Sequence, residues 1–471
     1  MIEQFHYRID LLRKLLKSNT LPNWGNSDCT DFITTSSMEV QSNSLFVPLV
    51  GNRDGHDFIQ DALNKDAIAF LCQKNHPILK KLTPDQLAKA IVVDDTLSAL
   101  GKLAWFHRSR FIPFTIAITG SSGKTTAKEI LTSAFGFLDS EEVVATEKNY
   151  NNEIGLPFTL FRVNQKTKIL ICEMGMNHLG EISRLSSIAK PDVSLITNIG
   201  PAHIEHLKSL KNIAKAKAEI LDGMSGGSSL FFPDSILFKK LLIKKCKKQK
   251  VKFFPYKIGD DLKILNTHPH GYELQISDEK IDWRIPGSKI LETLSGVVSI
   301  LRHLSVSFSG IVQRFENFQS KNGRLVVQKL FYQLIDDTYN ANPDSMVSSL
   351  DVANQIGKGS FYAILGDMKE LGKHSTKYHK EIGKYCASLK LKGLITYGSY
   401  SECIGKTYLK SFKSGFHKHF LQKDEEHISL VEMAKKQIPQ NSTILIKGSR
   451  SMKMEGIVKL LEELKQDESN G

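Results

Sequence analysis

The sequence predicts an α/β protein of three domains, a small mixed α/β one at the N-terminus followed by two larger units with mostly parallel sheets. Three observations lead there. At 471 residues the chain is too long for a single core, and ordinary domain sizes divide it into about three. From Phe111 onward, runs apolar throughout alternate with helical stretches, the pattern of parallel sheets covered on both faces. Each run ends in a polar loop, and ligands of such sheets sit beyond the carboxyl ends of the strands.

Taken in order, residues 1–107 form the first domain. "SLFVPLVGNRDGHDFIQDALNKDAIAFL" gives a strand, a glycine-containing turn, a helix and another strand. "VVDDTLSALGKLAWFHRSR" gives a strand and then a helix capped by Asp95 or Thr96. Residues 108–322 form the second. "FTIAIT" leads into the helix "TAKEILTSAFGFL", "KILICEMG" into "GEISRLSSIA", and "VSLITNIG" into "LKNIAKAKAEILDGM". "SSLFF", a β-rich stretch over 250–285 and a helix over 290–304 complete it. Residues 323–471 form the third, with "YQLIDDTYNANPDS", "FYAILGDMKELG", "GLITYGS", "KHFLQ" and "STILIKGSR" as successive strands and loops.

"TGSSGKTT" after the strand "FTIAIT" is built to hold phosphate. Gly120 and Gly123 let the backbone turn so that N–H groups around Ser121 and Ser122 face phosphate oxygens, with the positive end of the next helix behind them. Lys124 reaches β/γ-phosphates, and Thr125 or Thr126 offers a hydroxyl to Mg²⁺. The spacing G-x-x-G-K-T is two residues shorter than the common phosphate loop, and the central unit reads as a P-loop ATPase domain. Glu173 ends the strand "KILICE", where a carboxylate completes a magnesium site opposite the loop. His203 follows another strand end, with Glu205 close by.

Composition bounds the rest. Hydrophobic content of 41% and charged content of 24% are ordinary for a globular protein, and no run approaches a membrane span. The N-terminus "MIEQFHYRIDLLRKLLKSN" lacks a signal-peptide pattern, so a cytoplasmic protein without membrane insertion is expected. Six scattered cysteines without CxxC pairs argue against zinc or a disulfide framework. The net charge of +13 is densest in "FKKLLIKKCKKQKVKFF", which lacks stacking aromatics in a recognition pattern and reads as a solvated helix face followed by a strand rather than a nucleic-acid site.

"TGSSGKTT", "EKNYNNEIGLP", "EMGMNHLGEI", "TNIGPAHIEHL", "AKAEI", "GRL", "DDTYNANPDSM", "LGDMKELG" and "KGSRSMKME" resemble the Mur ligase family in order and spacing. The resemblance covers residues 40 to 458 and implies an N-terminal domain for the UDP-sugar, a central ATPase domain and a mobile C-terminal Rossmann-like domain. It implies an ATP-dependent amide ligase that joins D-alanyl-D-alanine to UDP-N-acetylmuramoyl-tripeptide through an acyl phosphate, acts as a monomer and binds no nucleic acid.

By the same resemblance Thr125 and Glu173 hold the ATP-side Mg²⁺, and His203 and Lys217, the latter carbamylated, hold a second. Lys124, Glu173, His203 and Lys217 are then the catalytic set. Asn152, Arg324, Asp337, Tyr339, Asn340 and Asn342 join the phosphate loop around the nucleotide, with Asp337 on the ribose hydroxyls. Lys447, Ser449 and Arg450 receive the dipeptide carboxylate, and Arg53 and His56 in "GNRDGHDF" serve the UDP-sugar.

Two stretches depart from the family pattern. An expected Asp-Ser-Arg triplet is replaced at Ser36, Ser37 and Met38, and an expected Gly-x-His-Asn with a following Asn becomes Gly287-Ser288-Lys289-Ile290 and Thr293. Both concern substrate contacts, and neither touches the phosphate machinery. Competing readings are a Mur-type ligase for another carboxylate such as a folate, a nucleic-acid ATPase, and an inactive scaffold.

Overall fold

A computed structural model describes residues 5–18, 28–320, 323–423 and 426–469, with side chains described as far as residue 463. The first four residues of the amphipathic N-terminus, its last at 19, and the expected boundary at 322 lie outside the described residues.

The N-terminal unit is built on four parallel strands in the order Phe32–Thr34, Ser44–Phe46, Ala69–Gln73 and Ala90–Val93. The N-terminal helix Ile9–Leu16 buries Ile9, Leu12 and Leu16 at helical spacing. Asp95, not Thr96, caps the helix Thr96–Ser109, its carboxylate accepting the Ser98 N–H at 2.6 Å. That helix runs through the expected boundary at 107, and His107 donates or accepts at both ring nitrogens, to Tyr7 Oη at 2.8 Å and the Val163 carbonyl at 2.7 Å. The first two units are therefore joined by a continuous helix rather than by a linker.

The central sheet is parallel throughout, in the order Lys252–Tyr256, Ser229–Pro233, Val193–Ile196, Phe114–Thr119, Ile169–Glu173 and Val143–Ala145. From Phe114–Thr119 the chain first winds one way and then returns to pair on the other side. Its carboxyl end is thus the crevice where such sheets bind ligands. The phosphate loop leaves the sheet there and enters the helix Lys124–Ala134. A three-stranded antiparallel sheet, Leu262–His268, Gly271–Ile276 and Glu279–Trp283, follows, and then the helix Ser288–His303. The lysine-rich block is a helix, Lys239–Gln249, followed by the strand Lys252–Tyr256, as its pattern suggested.

The third sheet runs Val326–Lys329, Gln333–Asp336, Thr443–Lys447, Phe361–Gly366, Gly393–Tyr397 and Phe416–Phe420. All its pairs are parallel except the first, an antiparallel hairpin. The strand Val326–Lys329 was not expected. Its turn is Leu330-Phe331-Tyr332, which carries none of the glycine, proline or asparagine that marks a hairpin in sequence. No helix among the described residues is long and apolar enough to cross a membrane.

Candidate active site

The carboxyl ends of the central and third sheets face one another across a cleft of about 640 Å³. The phosphate loop forms one wall. Gly123 holds a left-handed φ of 78°, and a Cβ on Gly120 would lie 1.8 Å from Thr197 Oγ1, so both positions exclude larger residues. The loop is moored to the end of the neighbouring strand. Asn198 Oδ1 accepts the Ser122 N–H at 2.8 Å and its amide donates to Ser122 Oγ at 2.9 Å. Ser121 Oγ donates to the Gly200 carbonyl and accepts its N–H, each at 2.9 Å. Ser121 is therefore a mooring, while Ser122, Thr125 and Thr126 line the cleft.

Lys124 donates to the Gly120 carbonyl at 2.8 Å, which folds its stem over the loop. Burial pushes its ammonium below the ordinary lysine value, and the Glu173 carboxylate works against that shift. Thr125 Oγ1 donates to Glu173 Oε2 at 2.8 Å, so a hydroxyl and a carboxylate converge as the sequence suggested. The other Glu173 oxygen accepts from Asn151 Nδ2 at 2.7 Å. Asn152, the neighbour singled out from sequence, also lines the cleft, its Oδ1 accepting the Gly155 N–H at 2.8 Å.

Lys217 is 2% exposed, and its ammonium has no hydrogen bond or ion pair among the described residues. Burial, aided by the positive charge of Lys124, drops its pKa well below the usual value, so the neutral amine is favoured. A buried amine without a partner is costly unless something pairs with it or modifies it. His203 adopts a left-handed backbone with φ 57°. Its Nδ1 lies 2.6 Å from Glu370 Oε2 of the third domain, yet the two lack hydrogen-bond geometry, and Nδ1 is buried without an aligned partner. Hydroxyl and carboxylate oxygens suit a hard divalent cation. The donor set fits Mg²⁺.

Across the cleft, Arg324 lies 3.7 Å above the ring of Tyr339. Asp337 is tightly held. Its Oδ1 accepts the Leu325 N–H at 3.2 Å, and its Oδ2 accepts from Ser349 and, at 2.5 Å, from Lys447. Asn340 accepts Lys447 Nζ on its carbonyl at 2.8 Å. Asn342 caps the helix Pro343–Ile356, accepting the Ser345 N–H at 2.9 Å, and donates to the Ser121 carbonyl at 3.4 Å across the domain junction.

The three residues expected at the dipeptide carboxylate therefore divide. Lys447, 2% exposed, is committed to Asp337. Ser449 is buried between the Lys369 N–H and the Ala341 carbonyl, at 2.8 and 3.3 Å. Arg450 alone points to solvent, 3.1 Å from Glu455. Lys447 and Ser449 shape the site, because their polar atoms are already satisfied.

His56 needs a correction. It is 0% exposed, donates from Nδ1 to Asp54 at 2.6 Å, accepts the Gln73 N–H on Nε2 at 3.1 Å and stacks on His76 at 4.3 Å. A side chain so enclosed cannot meet a substrate; it fixes the loop that leaves Arg53 exposed. Asp54, His56 and His76 are spaced like metal ligands, but His76 also accepts a backbone N–H, from Ile78 at 3.2 Å. Binding a cation at the opposite nitrogens would require both rings as imidazolates, so the trio is a hydrogen-bonded clamp.

Reading the sequence missed Asn151, Asn198, Thr197 and Glu370. Asn151 and Asn198 stand inside quoted motifs, yet their partners lie 22 and 76 residues away, which no local spacing reveals.

Residues 118–298 match the Mur ligase middle domain, and residues 313–450 match the Mur ligase, glutamate ligase domain. The chain belongs to the Mur ligase family. Among its relatives, the UDP-N-acetylmuramoyl-tripeptide–D-alanyl-D-alanine ligase of Haemophilus influenzae is 32% identical, over 92% of this chain and 93% of the relative. That of Bacillus subtilis is 30% identical over 92% and 93%. MurF from Acinetobacter baumannii superposes with a TM-score of 0.84 at 27% identity, covering 98% of this chain and all of the other. The MurF ligase of Thermotoga maritima, solved in complex with ADP, gives 0.79 at 25% identity, over 93% and 98%.

Proposed function

We propose that the protein is an ATP-dependent ligase that joins D-alanyl-D-alanine to UDP-N-acetylmuramoyl-tripeptide, giving the pentapeptide used in peptidoglycan synthesis. The observation that carries this reading is the single cleft in which the phosphate loop and the Thr125–Glu173 pair meet Arg324, Asp337 and Tyr339 of the third domain. The relatives at 30–32% identity over 92% of the chain support the substrate pair.

The chemistry follows from charge. A carboxylate oxygen is a poor leaving group, so the tripeptide carboxylate first attacks the γ-phosphorus of ATP, forming an acyl phosphate as the bond to ADP breaks. The dipeptide amine then attacks the carbonyl carbon, the amide bond forms, phosphate leaves and the nitrogen gives up a proton. In the first step two anions meet, and two unit charges about 4 Å apart repel by roughly 4 kcal/mol at an effective dielectric of 20. Lys124 offsets part of that repulsion at the β/γ-phosphates. Mg²⁺ at Thr125 and Glu173, and a second ion at His203 and a carbamylated Lys217, supply the remaining positive charge.

The neutral amine that burial favours at Lys217 is the form that adds CO₂, and the carbamate exchanges a mispaired cation for a metal-binding anion. Asp337, held by Lys447, takes the ribose hydroxyls, and Arg324 on Tyr339 faces the phosphates. Arg450, exposed and paired with Glu455 at the surface, is the guanidinium that binds the dipeptide carboxylate by exchanging that partner. In this reading the domains divide near 107 and 322, and the enzyme acts as a cytoplasmic monomer. The test is phosphate release from ATP and Mg²⁺ with each substrate alone and with both. Release with both, matched by equimolar pentapeptide, is expected; release indifferent to both would sink the assignment.

A further inference from the structure

We propose that the third domain supplies Glu370 to the second cation site, so that cation binding beside His203 and closure of that domain form one linked equilibrium. The inference rests on the two-cation reading above.

Four observations converge on this contact. Glu370 Oε2 stands 2.6 Å from His203 Nδ1, an ion-pair distance at which Nδ1 has no aligned hydrogen bond, so the third domain sets a carboxylate directly against the histidine. Both residues hold left-handed backbones, φ 62° for Glu370 and 57° for His203, conformations that side-chain-bearing residues keep where the surroundings enforce them. The contact is also where the two domains touch through backbone: the Glu205 N–H donates to the Glu370 carbonyl at 3.1 Å. Gly372 approaches so closely that a Cβ there would lie 3.1 Å from Glu205 Cγ.

The electrostatics supply the reason. Glu370 also lies within electrostatic reach of Lys124 at the phosphate loop. Closure therefore brings a carboxylate toward the place where the terminal phosphate of ATP sits. Two anions do not approach there unless a cation stands between them. With a divalent ion held by His203 and Lys217, Glu370 completes its shell and closure is tightened; without it, the carboxylate rests only on the positive groups His203, His206 and Lys124. By linkage, the factor by which the ion favours closure equals the factor by which closure tightens the ion.

The test uses the full-length protein with a non-hydrolysable ATP analogue and Mn²⁺ as the probe. Bound ions are counted by electron paramagnetic resonance, and closure is followed as the radius of gyration in small-angle X-ray scattering. The wild type is expected to bind two Mn²⁺ and to contract as the weaker site fills. Glu370→Gln should weaken that site about tenfold or more, leave the tighter one unchanged and move the contraction to correspondingly higher Mn²⁺. Glu370→Asp should recover part of the affinity, and thermal melting checks that each variant is folded. If Glu370→Gln binds both ions like the wild type, the inference is overturned, even if contraction is lost, because Glu370 would then be a latch without a cation. A wild type that binds only one Mn²⁺ overturns the two-cation reading itself.

Discussion

The central and third domains carry the same architecture to the cleft and use it differently. In the central sheet, residues at the strand ends hold one another: Asn198 moors the phosphate loop and Asn151 orients Glu173, all within one domain. In the third sheet the polar groups are just as well held, with Asp337 tied to Lys447 and Ser449 enclosed, but they reach the nucleotide by facing another domain. One wall is held within its own domain, and the other is set against it across a domain junction. The difference teaches that substitutions in the first should damage the chemical step, and those in the second the capture of substrates.

The largest effect belongs to Lys124→Ala. Removing the loop's cation should lower kcat about a hundred- to a thousandfold, measured as phosphate release with both substrates. Retention of most of the rate would break the comparison at its strongest point.

Lys217→Met tests the same wall by stability as well as rate. The unfolded chain keeps this ammonium protonated up to its usual 10.5, whereas the folded chain sheds the proton at lower pH. Between those values the unfolded state holds more protons, so folding stability rises with pH across that window. Each unit of depression corresponds to about 1.4 kcal/mol. The methionine variant should abolish ligation, melt higher than the wild type in CO₂-free buffer at neutral pH, and lose the rise of stability with pH that this lysine contributes.

Asn151→Ala should leave the fold intact and weaken Mg²⁺ about ten- to a hundredfold, because Glu173 loses the donor that aims it; Mg²⁺ dependence of the rate reads this directly. Arg450→Ala, on the third domain's wall, should raise KM for D-alanyl-D-alanine roughly tenfold with kcat nearly unchanged. An effect on kcat instead would mean that Arg450 acts in the chemical step rather than in capture.

Much of this was legible in the residue order. The phosphate loop was readable because glycines, lysine and threonines lie side by side between a strand and a helix. The strand ends carrying Glu173 and His203 were readable because apolar runs stop abruptly there. His56 misled because a histidine in a polar loop looks available, whereas Asp54, Gln73 and His76 enclose it. At Lys447 a basic strand end suggests an anion, and only the fold shows that Asp337 already provides one.

The sequence by itself determined the α/β class, the phosphate loop and the family, since local periodicity and contiguous motifs carry that information. Only the tertiary structure decided which polar atoms remain free. It moored Ser121, committed Lys447, buried Lys217 without a partner and set Glu370 against His203. The physical reason is that availability depends on what lies opposite in space, and the Asn342–Ser121 contact across this cleft joins residues 221 apart along the chain.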